Sequence, residues 1–536
     1  MKKTYAYLMM ATALFGCSND ENEAALTPEP TGRWMTGDIH FHTQASDGHA
    51  TQAEIMSKAF DTFGLDYLVP SNHLRNQASN PYLDGGDPNN AKQNILFSHA
   101  QRDYEIIEIT RLAPLYSGKL VYTSFEWDTP KNTFDHMSIG IVGKDFDEVN
   151  DFTRLFEYKF SNTNTLADFD AEDLYKWEAQ GEKRHNQTKA DVRKAMAWLQ
   201  QHYPHNSYLQ LNHAMRDPST YTIRDLRLFN DIAPNVFFTI EGMPGNQFNN
   251  RGEYNSPNGD PSLAGTLSGV DPIVAQVGGW WDALLGEGRR IWVAGNSDFH
   301  FKTGCADGTC LSGYWPGEYT KNYTYVTGDN QQALLEAMRS GNSFAVFGDL
   351  IDSLDYRVEI NGQSATMGQT LTVNAGDQVT FHINFTSPEF NNKEVRVNDG
   401  NYHGLNPGVH HIDLISGKVG AKAIPDTPSY DQASNDTTLI IKSFTETDWT
   451  QTAEGVYQIR YSFTADANRY FRLRGTNLMY NQEDADGNII MIDGEPQYTK
   501  KINKENLTPE AFVNKVNDRN YNELWFYSNP LFVKVD

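Results

Sequence analysis

The run Gly37-Asp38-Ile39-His40-Phe41-His42-Thr43-Gln44-Ala45-Ser46-Asp47-Gly48 decides the reading of this chain. On an extended strand, side chains alternate faces, so His40 and His42 point the same way and can grip one cation. Phe41 between them faces a core. Residues 43–48 read as the strand ending and a loop beginning, which brings Asp47 back over the strand's end. Two imidazoles and a carboxylate make a partial metal site. A structural site needs one or two more ligands, and a catalytic one needs ligands from elsewhere and an open position.

The surrounding sequence offers them. Between residues 34 and 347, short apolar segments (38–43, 67–71, 120–125, 137–142, 208–212, 236–241 and 291–297) alternate with amphipathic stretches (51–63, 93–112, 190–203, 222–230, 271–285 and 331–339). This alternation predicts an α/β fold with a largely parallel sheet or barrel. In such folds the carboxyl ends of the strands face one crevice. The predicted strands end in Ser71-Asn72-His73, Ser124-Phe125-Glu126-Trp127-Asp128, Leu211-Asn212-His213 and Asn296-Ser297-Asp298-Phe299-His300, and His136 opens another. His40, His42, Asp47, His73, Glu126, His136, His213, Asp298 and His300 are therefore expected to converge. Any one of them alone reads more simply as a core histidine or a helix cap. Their recurrence at the same ends of successive strands is what a shared centre requires. Six imidazoles and three carboxylates exceed the needs of one ion and suit two or three divalent ions of the Zn, Mn or Fe type.

The motifs Asp38-Ile39-His40-Phe41-His42-Thr43 with Ser46-Asp47-Gly48, Leu211-Asn212-His213 and Ser297-Asp298-Phe299-His300 resemble those of the polymerase and histidinol phosphatase (PHP) family. The resemblance covers residues 34–347 and implies a distorted seven-stranded β/α (TIM-like) barrel with three metals. It implies that His40, His42, Glu126 and Asp298 hold one ion. Glu126, with His136 and His213, would hold a second, and Asp47, His73 and His300 a third. Glu126 and Asp298 are the expected catalytic carboxylates. The family's second motif commonly reads Thr-Asp-His, where this chain has Ser71-Asn72-His73. Phe471-Arg472-Leu473-Arg474 and Ser528-Asn529-Pro530-Leu531-Phe532 resemble the β-rich tail of some members.

After about residue 351 the pattern becomes short, β-rich segments with turn signals at Asn361-Gly362 and Gly376-Asp377. Residues 351–536 are expected to form a β-sandwich-like domain following the hydrolase domain at 34–350. At the other end, Lys2 and Lys3 precede a short apolar run and Leu14-Phe15-Gly16-Cys17. The run is about half the length of a spanning helix. Leu-x-Gly-Cys resembles the lipobox of bacterial lipoproteins, so residues 1–17 read as a signal with Cys17 as the lipidation site, and 18–33 as a tether. The acidic Asp20, Glu21 and Glu23 resemble surface-export signals. The expectation is an exported lipoprotein, facing the periplasm or on the outer membrane or cell surface, held to the membrane by its lipid alone. Cys305 and Cys310 then form a plausible disulfide. It would stiffen a loop whose aromatics Tyr314, Trp315 and Tyr319 wall a substrate pocket.

The net charge of -25 argues against duplex nucleic acid as a partner. A small phosphorylated substrate remains compatible, because bound cations reverse the local field. The expected activity is a metal-dependent phosphoesterase, in which a hydroxide shared by two metals attacks phosphorus. Arg75, Arg216 and Lys302, each within three residues of a proposed ligand, are candidate phosphate contacts. Two alternatives stand beside it: an amidohydrolase-like C–N or ester hydrolase, and a non-enzymatic ligand- or glycan-binding lipoprotein.

Overall fold

Strands of the first half form at the apolar runs; Glu126 and His136 lie within them, while the other site residues follow strand ends. In the computed structural model, which describes residues 32–83, 93–246, 254–302 and 313–536, these strands are β1 (Arg33–Asp38), β2 (Tyr67–Leu68), β3 (Leu120–Val121), β4 (Ser124–Asp128), β5 (His136–Ile141), β6 (Ser207–Leu211), β7 (Phe237–Pro244), β8 (Leu263–Leu267), β9 (Trp292–Asn296), β10 (Thr320–Val326) and β11 (Ser343–Phe347). Tight packing begins at once: a Cβ on Gly37 would lie 2.3 Å from the Tyr67 ring of the neighbouring strand.

Two sheets result. One runs β3-β2-β1-β10-β11, and the other runs β4-β5-β6-β7-β9. β5 lies antiparallel to both β4 and β6, and β10 is antiparallel to β1, so the expectation of a largely parallel sheet is corrected. Among the described residues the ladders do not close into a barrel. The two sheets meet instead through single parallel bridges, Phe41↔Phe299 and His73↔Glu126. The physical reason is local: after Asp38 and Leu68 the chain leaves regular pairing to carry His40, His42 and His73. The bridges sit where those residues gather.

Helices cover the outer faces. Lys189–His202 and Ile223–Ile232 each begin with a reciprocal threonine–aspartate capping box, Thr188 with Asp191 and Thr222 with Asp225. The helix Phe146–Phe160, which the sequence reading did not name, buries Val149, Phe152, Phe156 and Phe160 at helical spacing. It packs on fully buried Trp127, whose ring lies 5.2 Å from that of Phe156. Among the described residues no helix is long and apolar enough to cross a membrane.

The β-rich second half contributes a five-stranded sheet and two smaller ones, and it extends the sheet that holds β1. Ser353–Ile360, Gln363–Thr366, Gln378–Thr386, Tyr457–Thr464 and Thr450–Gln451 form a five-stranded antiparallel sheet. It faces Arg469–Thr476 and Leu439–Phe444 through Phe381–Phe471 and Phe444–Tyr461, with ring centroids 4.8 and 5.7 Å apart. That opposing layer is continuous with the sheet of the first half: Ala345 of β11 pairs with Tyr527. A helix at Pro509–Asn522, absent from the sequence reading, packs Tyr521 against Tyr319 at 5.2 Å.

A buried ion pair ties the halves together. Both nitrogens of the Arg472 fork donate to Asp282, at 2.8 Å each, and both side chains are fully buried. Removing one partner of such a pair strands a buried charge. Arg472→Met is expected to destabilise the fold by about 3–5 kcal/mol, measured by denaturant unfolding, and a loss below roughly 1 kcal/mol would contradict it.

Candidate metal centre

Asp38 ends β1 and accepts hydrogen bonds from the backbone N–H of His40 and of Ser297, both 2.9 Å. It thereby joins the ends of β1 and β9, and burial pushes its carboxyl up to about 7. Beyond Asp38, Phe41 packs with Ile55, Phe60 and Phe299 in a small core, while His40 and His42 turn to the other side. His40 Nε2 lies 3.2 Å from Glu126 Oε1 and 3.2 Å from Asp298 Oδ1. His42 Nε2 lies 3.3 Å from Glu126 Oε2 and 3.3 Å from Asp298 Oδ1.

Glu126 also reaches the next group. Its Oε1 is 3.3 Å from His136 Nδ1 and 3.3 Å from His213 Nε2. A third group forms around Asp47, with Oδ2 3.4 Å from His73 Nε2 and Oδ1 3.5 Å from His300 Nε2. The structure therefore brings all nine expected ligands together, in overlapping groups of the size that holds a cation.

The spacings are the decisive feature. Ligand atoms about 2.0–2.1 Å from a tetrahedral zinc lie roughly 3.3 Å from each other. Good hydrogen bonds are shorter, and several of these atoms make none. His42 Nδ1 and Nε2, His136 Nδ1, His213 Nδ1 and Asp298 Oδ1 are buried with no hydrogen-bond partner among the described residues. Buried polar atoms are seldom left so. The donor set, mixed imidazole and carboxylate, fits divalent cations of the Zn, Mn or Fe type.

Backbone geometry aims these ligands. His213 and Asp298 both follow strands in left-handed backbone conformations, with φ of 30° and 47°. Such residues concentrate at functional sites, where the surroundings hold them. Gly48 lets the Asp47 turn close, because a Cβ there would stand 2.5 Å from the His42 carbonyl.

A second layer orients the rings. Glu241 accepts at His40 Nδ1 (2.9 Å) and from the His213 N–H (2.9 Å), so one carboxylate sets two ligands. Asp128 pairs with His73 Nδ1 at 2.6 Å. Asn212 donates to Glu126 Oε1 at 2.7 Å. Asp135 lies 3.4 Å from His213 Nδ1. Sequence reasoning passed over these residues. Asp128 had a signal, since it stands two residues from Glu126 on the same strand face. Glu241 had one as the last residue of a predicted strand. Asp135, in a left-handed turn before His136, had none.

The cluster's charges interlock. Burial alone would raise the Glu126 carboxyl, but His40, His136 and His73 hold it well below the usual carboxylate range. Burial alone would depress His42, but the Asp298 and Glu126 carboxylates beside it push it up to about 9. His213 likewise rises to about 10, where Asp135 and Glu126 outweigh burial and the nearby Arg216.

The three candidate phosphate contacts divide. Arg75 Nη2 donates to Asp47 Oδ2 (2.6 Å) and Nη1 to Asp128 Oδ2 (3.1 Å), at the rim of the third group. Arg216 pairs with Asp135 beside the second, at 2.5 Å. Lys302 is corrected: its ammonium lies between buried Glu318 (2.5 Å) and Glu394 (3.1 Å). Tyr314 and Tyr319 are corrected as well. Both are fully buried and pack on each other rather than lining a pocket, and Trp315 stacks on Phe299 at 4.5 Å. Cys17, Cys305 and Cys310 lie outside the described residues.

No family model and no curated protein matches the chain. Among solved structures it is similar to a two-domain protein containing a predicted PHP-like metal-dependent phosphoesterase from Bacteroides vulgatus. That chain is 12% identical, with 91% of this chain and 100% of that one covered, at a TM-score of 0.33. The functional reading therefore rests on the site itself.

Two outcomes follow from the geometry. Glu126→Ala removes the carboxylate that joins the His40/His42 group to the His136/His213 group and is expected to lower bound metal by two equivalents, whereas His73→Ala, which removes a ligand of the Asp47 group, is expected to lower it by one, by elemental analysis. With pKa values of about 9 and about 10, His42 and His213 carry protons at pH 7 in the metal-free protein. Those protons must leave before the nitrogens coordinate. Affinity should therefore rise with pH across the neutral range, and uptake should release protons. Calorimetry in two buffers of unlike protonation enthalpy reads this directly; identical heats would refute it.

Proposed function

We propose that this chain is a metal-dependent hydrolase acting on small phosphate esters, with a centre of two to three divalent ions of the PHP type. The observation that carries the reading is Glu126, buried, with its two oxygens 3.2–3.3 Å from imidazoles of His40, His42, His136 and His213. When bound there, divalent ions lower the pKa of water and neutralise charge on a phosphoryl oxygen.

The chain's own residues supply the rest. Glu126 holds the first two groups at one fixed separation, and Asp298 closes the first. Asn212 and Glu241 fix the orientation of Glu126, His40 and the His213 backbone, so little reorganisation accompanies reaction. Arg75 and Arg216, 22% and 24% exposed, are partly open to solvent at the rim and are suited to contact the phosphate. Each is already held by carboxylates, which limits its reach and favours a small ester. The net charge of -25 supports a small anionic substrate over a polyanion.

Export belongs to the same proposal. Leu14-Phe15-Gly16-Cys17 supports lipidation at Cys17, a periplasm-facing or outer-membrane location and a Cys305–Cys310 disulfide. Cys17→Ser should release the protein from the membrane fraction or block its processing. Fractionation and migration identical to the parent would end the lipoprotein reading.

The activity test is a metal-supplemented screen over phosphomonoesters, phosphodiesters, carboxylic esters and amides. Phosphate-ester turnover that falls at least 100-fold in Glu126→Gln is expected, an order of magnitude set by loss of metal-supported catalysis. Turnover confined to amides or carboxylic esters would replace the phosphoesterase by an amidohydrolase. No turnover with full metal content would favour a binding protein.

A further inference from the structure

Between His73 and the Asp47 turn lies a fully buried polar chain that the proposed chemistry does not use. Asn72 Oδ1 accepts from the Thr43 N–H (2.8 Å) and the Ser46 hydroxyl (2.8 Å), and so clasps both ends of the turn that presents Asp47. Asn72 Nδ2 donates to Thr43 Oγ1 (3.0 Å) and to Glu105 Oε2 (2.5 Å). Glu105 accepts a second bond from the Thr123 hydroxyl, which in turn accepts from Gln101 Nε2 at 3.0 Å. Gln101 accepts from Asn150 Nδ2 at 3.0 Å. Glu105, Asn72 and Gln101 have no exposed surface.

The direction of this chain has a single solution. The Thr43 backbone N–H can only donate, so the amide oxygen of Asn72 must face the turn. Its NH₂ must then face Glu105, whose Oε2 accepts it. Glu105 thereby holds Asn72 in that orientation from the far side. It is delivered by a π-helical turn, Gln101–Glu105, set between the helices Phe97–Ala100 and Ile106–Leu112. Such turns are rare and cluster at functional sites.

We propose that Glu105 is a positioning residue of the metal centre: it orients Asn72, and Asn72 holds the Thr43–Asp47 turn so that Asp47 faces His73 and His300. The proposal rests on the metal-centre reading above. It also accounts for asparagine at position 72. An aspartate there would set a carboxylate oxygen against Glu105 where neither side chain has exposed surface. Burial already raises Glu105 to about 7 against its bonds from Thr123 and Asn72, so a second buried charge at this point is strongly disfavoured.

The test is a reciprocal exchange read by metal binding, not by turnover. The parent, Glu105→Leu, Asn72→Asp and the double variant Asn72→Asp/Glu105→Gln are titrated with Zn²⁺ against a chromophoric chelator, with folding checked by circular dichroism. In Glu105→Leu and Asn72→Asp, one bound equivalent should weaken by about tenfold or more while the others keep their affinity. The double variant restores one carboxylate facing one amide in reversed order. It should return that equivalent to within about threefold of the parent, well inside the effect of losing such a contact.

Failure of the exchange to restore the weakened equivalent overturns the proposal. So does parental affinity for every equivalent in folded Glu105→Leu. Should a single variant not fold, recovery of both folding and the affected equivalent in the double variant decides for the proposal, and folding without that equivalent decides against it. A parent that takes up no Zn²⁺ overturns the metal-centre reading, and with it this proposal. A parent that takes up ions, with variants binding alike, overturns this proposal alone.

Discussion

Everything near the site depends on one buried carboxylate. Glu126 is 1% exposed, and an isolated carboxylate so placed is untenable unless charge and hydrogen bonds surround it. The chain surrounds it with imidazoles from four separate segments: His40 and His42, His73, His136, and His213. Protons on His40, His42, His136 and His213, which neighbouring carboxylates hold above the usual imidazole range, and divalent cations are interchangeable ways of balancing the same negative centre. The metal-free protein can therefore fold around the cluster, and loading becomes an exchange of protons for ions rather than a folding event.

This constraint also explains the irregular sheets. A regular strand runs straight on, so it cannot carry His40 and His42 to one carboxylate and also return Asp47 over them. The cost is borne by pairing. β2 and β3 are two residues long, and contact between the sheets narrows to the bridges Phe41↔Phe299 and His73↔Glu126. Each bridge contains or adjoins a ligand. Lost ladder bonds at this end are offset by side-chain bonds to Asp38, Glu241, Asn72 and Asn296.

The ligands were legible because each is a strong polar residue at the end of an apolar run, repeated at successive strands. The layer behind them was mostly not. Glu241 and Asp128 look, residue by residue, like ordinary strand-end acids, and only distance shows that they hold His40 and His73. Lys302 misled for the same reason. Its place two residues after His300 put it near the site in sequence, yet closeness along the chain does not fix where a long side chain ends. Its ammonium lies with Glu318 and Glu394 instead. The pairing of β11 with Trp525–Ser528 joins strands about 180 residues apart and leaves no local pattern to read.

Lys302 also shows why the β-rich half bears on the centre. Glu394 belongs to the strand Phe390–Glu394, and its backbone carbonyl accepts from Asn517 of the helix Pro509–Asn522. Glu318 precedes Tyr319, whose hydroxyl donates to Asn520 of the same helix. One lysine, 10% exposed, thus links the segment that leaves His300 to a strand and a helix of the second half. Leaving either carboxylate unpaired in such a place is costly, so the segment is held where the ion group puts it. The first half supplies every ligand, but the second half fixes where the last of them, His300, can stand.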